Sequence, residues 1–244
     1  MLVSRPADSH PLCYAVVPAA GVGRRMGGAV PKQYLQLLGR PVLRWSLESL
    51  LAHPRVAGAV VAISSDDTWW PELATAMEKP VAAVAGGVER AHSVLNALEY
   101  LAALPRPPEW VLVHDAVRPC ITRGELDTLL ERALESPDGA LLAAPVRDTL
   151  KRQDAYGRVD STSDRNGLWH ALTPQCFPLL SLREALARVL RDGQQVTDEA
   201  QAMELQGFHP VLVEGRSTNV KLTRPADLAL LESILRAGRG GGPP

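Results

Sequence analysis

The sequence predicts an α/β fold, a mostly parallel sheet with helices on both faces and a projecting β-hairpin arm. Three observations carry the prediction. Short apolar runs alternate with helical stretches from Ala15 to Val146. Residues that a core has no use for fall just after those runs: Gly21 and Gly23 after the first, Gly86 and Gly87 after the third, Asp115 after the fourth. A polar stretch with a turn at Asp154-Ala155-Tyr156-Gly157 then breaks the alternation.

Ala15-Val16-Val17 opens the sheet and runs into a glycine-rich loop. Pro41 to Leu51 has helical periodicity, with Leu43, Leu47, Leu50 and Leu51 on one face and His53-Pro54 as a stop. Gly58 to Ile63 is a second strand, and a helix follows around Trp70 to Met77. Pro80 to Val84 is a third strand, before a helix from Glu89 to Leu104. Trp110 to Val113 is a fourth, before a helix from Thr122 to Ser136 in which Thr122 and Glu125 are spaced as a capping box. Gly139 to Val146 is a further strand. The arm, about 147–167, follows, and Leu168 to Leu172 returns to the sheet. Pro178 to Arg191 is an amphipathic helix. Thr197 is the expected N-cap of the next one. Val211-Leu212-Val213 and Asn219 to Leu222 read as late strands, and Arg224 to Leu235 as the closing helix. Residues 1–13 are expected to be a mobile lead and 237–244 a disordered Gly/Pro-rich tail.

The formal net charge of -1 over 244 residues argues against a general nucleic-acid or membrane binder. No apolar run approaches the length of a membrane span. Cys13, Cys120 and Cys176 are dispersed and odd in number, which suits reduced thiols in a cytoplasmic protein. The six histidines have no zinc-ligand spacing.

Gly21-x-Gly23-x-x-x-Gly27 superficially matches a dinucleotide loop, but the continuation is Arg24-Arg25, Gly27-Gly28 and Pro31, which is poor for an immediate helix. No Gly-Lys-Ser/Thr closes it as a P-loop. Small residues that allow close backbone approach, joined to Arg24, Arg25 and Lys32, point to a polyphosphate. Asp115 at a strand end, beside Arg118, suits Mg²⁺ bound together with substrate phosphate, a helix N-cap or a salt bridge with Arg118. Arg147, Thr149, Lys151, Arg152 and Arg165 crowd the arm, and Lys221 lies in a late segment; together they suggest a second anionic ligand. An exposed arm suggests a dimer. Thr197-Asp198-Glu199 reads as helix capping.

Val17-Pro18-Ala19-Ala20-Gly21-x-Gly23-x-Arg25-Met26, Pro31-Lys32-Gln33, Val113-His114-Asp115-Ala116-x-Arg118-Pro119, Pro145-Val146-x-Asp148-Thr149 and Val196-Thr197-Asp198-Glu199-Ala200 occur in this order. Through them the chain, from about Tyr14 to about Ile234, resembles the 2-C-methyl-D-erythritol 4-phosphate cytidylyltransferase family of the non-mevalonate isoprenoid pathway. The resemblance implies a three-layer, Rossmann-like nucleotidyltransferase fold of the glycosyltransferase-A-like kind, as a single domain over 14–236. It implies transfer of a cytidylyl group from CTP to methylerythritol phosphate with release of pyrophosphate, Mg²⁺ as cofactor, and a homodimer joined through the arm. By similarity Ala19, Ala20, Gly21 and Gly23 line the CTP site, and Arg25 and Lys32 hold its phosphates. Gly87 and Ser93 meet the cytosine, with Asp115 and Ala116 near the ribose, metal and reacting phosphate. Arg118, Thr149, Arg165, Thr173 and Lys221 hold the methylerythritol phosphate, several reaching across the dimer. Arg25, Lys32, Asp115, Arg165 and Lys221 form the implied catalytic group. Val88 stands where relatives often carry a polar or acidic residue, so no ribose contact is carried over there.

A phosphate monoester has a second pKa near ~6 and is already anionic at neutral pH, so such a transfer needs no general base. A ribitol-5-phosphate cytidylyltransferase would share the loop and Asp115; the arm and the Lys221 segment favour methylerythritol phosphate. An NAD(P)-dependent oxidoreductase needs an acidic residue about 20 positions beyond the glycines, which here falls in the helix near Leu43. A non-catalytic nucleotide sensor has no use for a second cationic cluster.

Overall fold

The first strand is the pivot of the sheet. In the computed structural model, which describes residues 13–21, 30–75 and 77–240 without the side chains of 239 and 240, β1 (Cys13–Pro18) pairs in parallel on both edges. The chain first moves outward on one side through β4 (Val56–Ile63) and β5 (Val81–Ala85). It then returns to the other side of β1 as β6 (Trp110–Val113). That reversal is a topological switch point, and ligands in open α/β sheets bind at the carboxyl ends of the strands beside it. A minor hairpin, β2 (Gln36–Leu37) and β3 (Arg40–Pro41), lies between β1 and the first helix.

Beyond β6 come β10 (Trp169–Pro178), β7 (Ala140–Pro145) and β11 (Val211–Glu214), giving the order β11-β7-β10-β6-β1-β4-β5. β10 runs antiparallel to both neighbours and the other pairings are parallel. This strand is longer than the expected return at 168–172. Its register shifts between Ala171 and Gln175, so polar Thr173 and Gln175 enter the sheet without breaking it.

Alternation along the strands builds two cores. Val16, Val60, Val111 and Val113 face α3 (Arg90–Ala102), α5 (Leu179–Arg191) and α6 (Glu199–Glu204). Ala15, Val17, Val61 and Leu112 face α1 (Val42–Leu51), α4 (Arg123–Leu134) and α7 (Asp227–Gly240). A short α2 (Trp70–Ala74) joins β4 to β5. Leu43, Leu47, Leu50 and Leu51 are all buried, and the Thr122–Glu125 capping box is formed. The polar segment is a two-stranded arm, β8 (Leu150–Gln153) with β9 (Val159–Ser163), on which Tyr156 and Val159 are exposed.

Four expectations are corrected. Cys13 is not part of a mobile lead but the first residue of β1, opposite Val56 and 1% exposed; residues 1–12 lie outside the described residues. Asp198, not Thr197, caps α6, accepting the Gln201 N–H at 2.9 Å. Thr197 is held one residue outside, its N–H and hydroxyl both on Gln201 Oε1. Asn219 to Leu222 is not a strand, because its backbone groups bind loops: the Leu222 N–H reaches the Val117 carbonyl at 2.9 Å, and the Asn219 carbonyl accepts from Arg118 at 2.7 Å. Finally, 237–240 continue α7, whose Leu231, Ile234 and Leu235 are anchored in the core.

Candidate active site

Three strand ends are locked together before any ligand arrives. At the end of β1, the Ala19 N–H reaches the Ala62 carbonyl at 2.7 Å, and the buried Gln33 amide donates to the Ala19 carbonyl at 2.6 Å. Gln33 sits in a 3₁₀ turn over Lys32–Tyr34 led by Pro31, so the same turn brings Lys32 to the loop. At the end of β5, a Cβ on Gly86 would lie 2.2 Å from the Ala20 Cβ, and one on Gly87 would lie 2.2 Å from the His92 Cβ. Only glycine lets these backbones pass so closely. The Gly87 N–H donates to Ser93 Oγ at 3.0 Å, tying the loop to the first turn of α3.

At the end of β6 stands Asp115, its side chain 8% exposed. Its Oδ2 meets Lys221 Nζ at 2.9 Å and Arg118 Nε at 3.1 Å, and its Oδ1 meets Arg90 Nε at 3.4 Å. Burial alone would raise this carboxyl, but Arg90, Lys221 and Arg118 hold it well below the usual carboxylate range. The Arg90 guanidinium also grips Glu199 in a bidentate pair, at 2.6 and 3.0 Å. Glu199 is fully buried; desolvation pushes its carboxyl up while Arg90 pulls it back. Asp198 also acts on Arg90 and Glu199, so three cations and three carboxylates gather here.

Two cavities open on this cluster. One, of about 220 Å³, is walled by Ala19, Ala20, Gly21, Lys32, Gly87, Ser93, Asp115 and Ala116, with Gln33, Glu89 and Arg90. The other, of about 270 Å³, is walled by Arg118, Thr173 and Lys221, with Gln175, Thr197 and Asp198. Arg90, Asp115 and Lys221 belong to both. The structure therefore brings together most of the residues singled out in the sequence. Gly23 and Arg25 lie outside the described residues. Thr149 and Arg165 stand at the two bases of the arm, where Arg165 donates to the Arg147 carbonyl.

Glu199 reads from the sequence as part of a helix cap, but its carboxylate is spent on Arg90 and only Asp198 caps α6; the sequence suggests no role for Arg90 or for the Gln33 side chain. For Arg90 the available signal was an arginine in the first turn of a helix directly after Gly86-Gly87. Burial raises the Cys13 and Cys120 thiols to about 12, which removes them as nucleophiles. Among the described residues no cluster of three or more metal-ligating side chains occurs. Asp115 and Glu89 are the carboxylates on the wall of the first cavity. That is a donor set suited to Mg²⁺, which binds through one or two carboxylates together with substrate phosphates and water. No helix among the described residues is long and apolar enough to cross a membrane.

Known proteins are similar to this chain over nearly its whole length. A 2-C-methyl-D-erythritol 4-phosphate cytidylyltransferase of Vibrio parahaemolyticus is 51% identical over 238 residues, covering 98% of this chain and 100% of that protein. One of Halorhodospira halophila is 54% identical over 230 residues, covering 93% and 95%. A crystal structure of a 4-diphosphocytidyl-2C-methyl-D-erythritol synthase superposes with a TM-score of 0.80 at 35% identity, over 93% of this chain and 100% of that one. The cytidylyltransferase of Thermus thermophilus does so with a TM-score of 0.76 at 32% identity, over 91% and 98%. The family model described as IspD, 2-C-methyl-D-erythritol 4-phosphate cytidylyltransferase, matches residues 13–237, from the first residue of β1 into α7. The chain belongs to that family.

Proposed function

We propose that this chain is a nucleotidyltransferase that moves a cytidylyl group from CTP to 2-C-methyl-D-erythritol 4-phosphate, releasing pyrophosphate and 4-diphosphocytidyl-2-C-methyl-D-erythritol. One observation carries the reading: two separate cavities meet at Asp115, Arg90 and Lys221. A reaction between two phosphate-bearing substrates needs that layout, with cations at the seam where the negative charges converge.

CTP occupies the first cavity. Ala19, Ala20, Gly21 and Gly23 approach its phosphates, Gly87 and Ser93 meet the cytosine, and Asp115 and Ala116 lie by the ribose and reacting phosphate. Arg25 and Lys32 neutralise the triphosphate and the departing pyrophosphate. The methylerythritol phosphate lies in the second cavity with its phosphate against Arg118 and Lys221, and Thr173 stands in the wall of that cavity. Thr149 and Arg165 reach it from the arm of a second copy, which makes the working unit a homodimer. Mg²⁺, held by Asp115 and substrate phosphate, would supply further charge neutralisation.

The step is an in-line displacement. A phosphate oxygen of the polyol phosphate bonds to the α-phosphorus of CTP, and the bond from that phosphorus to the bridging oxygen of pyrophosphate breaks. The attacking oxygen is anionic at neutral pH, so no side chain has to remove a proton. What this chain contributes is alignment and electrostatics. The setting is the cytoplasm, where CTP is found.

Incubating the chain with CTP, Mg²⁺ and methylerythritol phosphate should release pyrophosphate, and ribitol 5-phosphate in its place should release far less. No release with any polyol phosphate would overturn the assignment.

A further inference from the structure

His114 is fully buried immediately before Asp115, and the transfer step gives it no task. Its partners fix its chemical form. Nε2 lies 2.9 Å from the Arg118 carbonyl oxygen, which can only accept, so Nε2 carries the hydrogen. In a neutral ring Nδ1 is then an acceptor. Its partner, 3.0 Å away, is the Thr173 hydroxyl, which must donate. The Thr173 oxygen in turn accepts the Asp115 backbone N–H at 3.1 Å. Arg118 closes the circuit: its Nε donates to Asp115 Oδ2 at 3.1 Å and its Nη1 to the Asn219 carbonyl at 2.7 Å. Asn219 Nδ2 donates to the Thr173 carbonyl at 2.8 Å. Every hydrogen bond in the ring has a single permitted direction.

We propose that His114 is a positioning residue for the reaction: by accepting a hydrogen bond from the Thr173 hydroxyl, it orients the Thr173 oxygen to accept the Asp115 backbone N–H at the seam of the two cavities. Both partners of this fully buried ring, a carbonyl and a hydroxyl, are uncharged, so nothing in hydrogen-bond reach balances a second ring proton. A consequence follows for Thr173. It lines the second cavity, yet its one hydroxyl proton points to His114, so it has none to give an incoming phosphate. The cations Arg118 and Lys221 must meet that charge instead.

The kinetic test rests on the cytidylyl-transfer reading; a spectroscopic test does not. Histidine-selective ¹⁵N NMR of the full chain near pH 7 should show His114, assigned by the signal lost in His114→Gln, as the Nε2–H tautomer. A Nδ1–H tautomer would overturn the proposal. In kinetics, Thr173→Val should lower kcat about ten- to hundredfold, the scale of a misplaced reacting group. The KM for methylerythritol phosphate should stay within about threefold. Thr173→Ser should restore kcat, and His114→Gln combined with Thr173→Val should be no worse than the poorer single variant. A raised KM for methylerythritol phosphate at unchanged kcat in Thr173→Val would mean that the hydroxyl serves the substrate directly, and would refute the relay. If the unsubstituted chain shows no turnover, the reaction assignment fails, while the tautomer still decides this inference.

Discussion

Lowering the pH should destabilise this protein through one residue. Burial pulls His114 down to about 4 from the ordinary 6.5, and the neighbouring charges, Asp115 raising and Arg118 lowering, act in opposite senses. The sign follows from proton uptake. Between those two values the unfolded chain binds a proton at His114 that the fold refuses, so stability rises with pH. The contribution is complete above the unfolded value and is lost as pH falls toward the folded one. The full gap corresponds to about 3 kcal/mol, of which about 2 kcal/mol disappears between about pH 7.5 and about pH 5. For a chain of this size that is roughly 4–8 °C in Tm. The assay is a pair of thermal melts at the two pH values, on the unsubstituted protein and on His114→Gln. Carboxylates elsewhere titrate in both, so the difference between the two shifts isolates the histidine. The unsubstituted protein should lose about 4–8 °C more than the variant. Equal losses would show that His114 is protonated in the fold as readily as in an open chain, and the reasoning from burial would be wrong.

Three further outcomes are expected at the site. Lys32→Ala should lower kcat/KM by roughly two to three decades, the scale of losing one oriented donor, in a pyrophosphate-release assay; near-normal turnover would remove Lys32 from the triphosphate. Arg165→Ala should impair use of methylerythritol phosphate while leaving CTP affinity by calorimetry within about threefold; an equal loss of CTP affinity would contradict the division into two cavities. Gly86→Ala places a methyl group 2.2 Å from the Ala20 Cβ, so it should raise the KM for CTP and cost about 1–3 kcal/mol of stability in urea melts; an unchanged KM would mean that the β1 loop does not seat the nucleotide.

Why some of this site is readable from sequence and some is not comes down to how far apart in the chain the interacting groups lie. The parallel strands β1, β4 and β6 announce themselves because their residues are mostly buried, so they read as apolar runs, and functional residues stand just past β1, β5 and β6. Asp115 is legible for the same reason: a charge directly after such a run has nowhere to go but the sheet edge, whereas Lys32, far beyond the end of β1, is legible only beside the glycine-rich loop and within Pro31-Lys32-Gln33. Arg90 is illegible because the carboxylate that explains it, Glu199, is 109 positions away. His114 and Thr173 are 59 positions apart and meet only because β10 inserts antiparallel beside β6. The far half of β10 was itself hidden. Its Thr173, Pro174 and Gln175 look like loop, since their polar atoms serve Asp115, Asp198 and the Ala200 N–H and not solvent. The Asn219 to Leu222 segment misleads in the opposite way: it has strand-like residues, yet its backbone is spent on Val117, Arg118 and Arg216.

That spread also explains why Asp115 sits among cations from the outset. Lys221 and Arg118 both bind Oδ2, at 2.9 and 3.1 Å, so their charged nitrogens are no more than about 6 Å apart. At an effective dielectric of ~20, two like charges at that distance repel by about 3 kcal/mol, while each is attracted to a carboxylate at ~3 Å by about 5 kcal/mol. Without the carboxylate, Lys221, 40% exposed, has the room to move out into solvent, while Arg118, 11% exposed, stays on the Asn219 carbonyl. With it, they are held together beforehand at the seam of the two cavities. The charge of Asp115 thus assembles cations at the seam of the two cavities, and Glu199 holds Arg90 there through its bidentate pair.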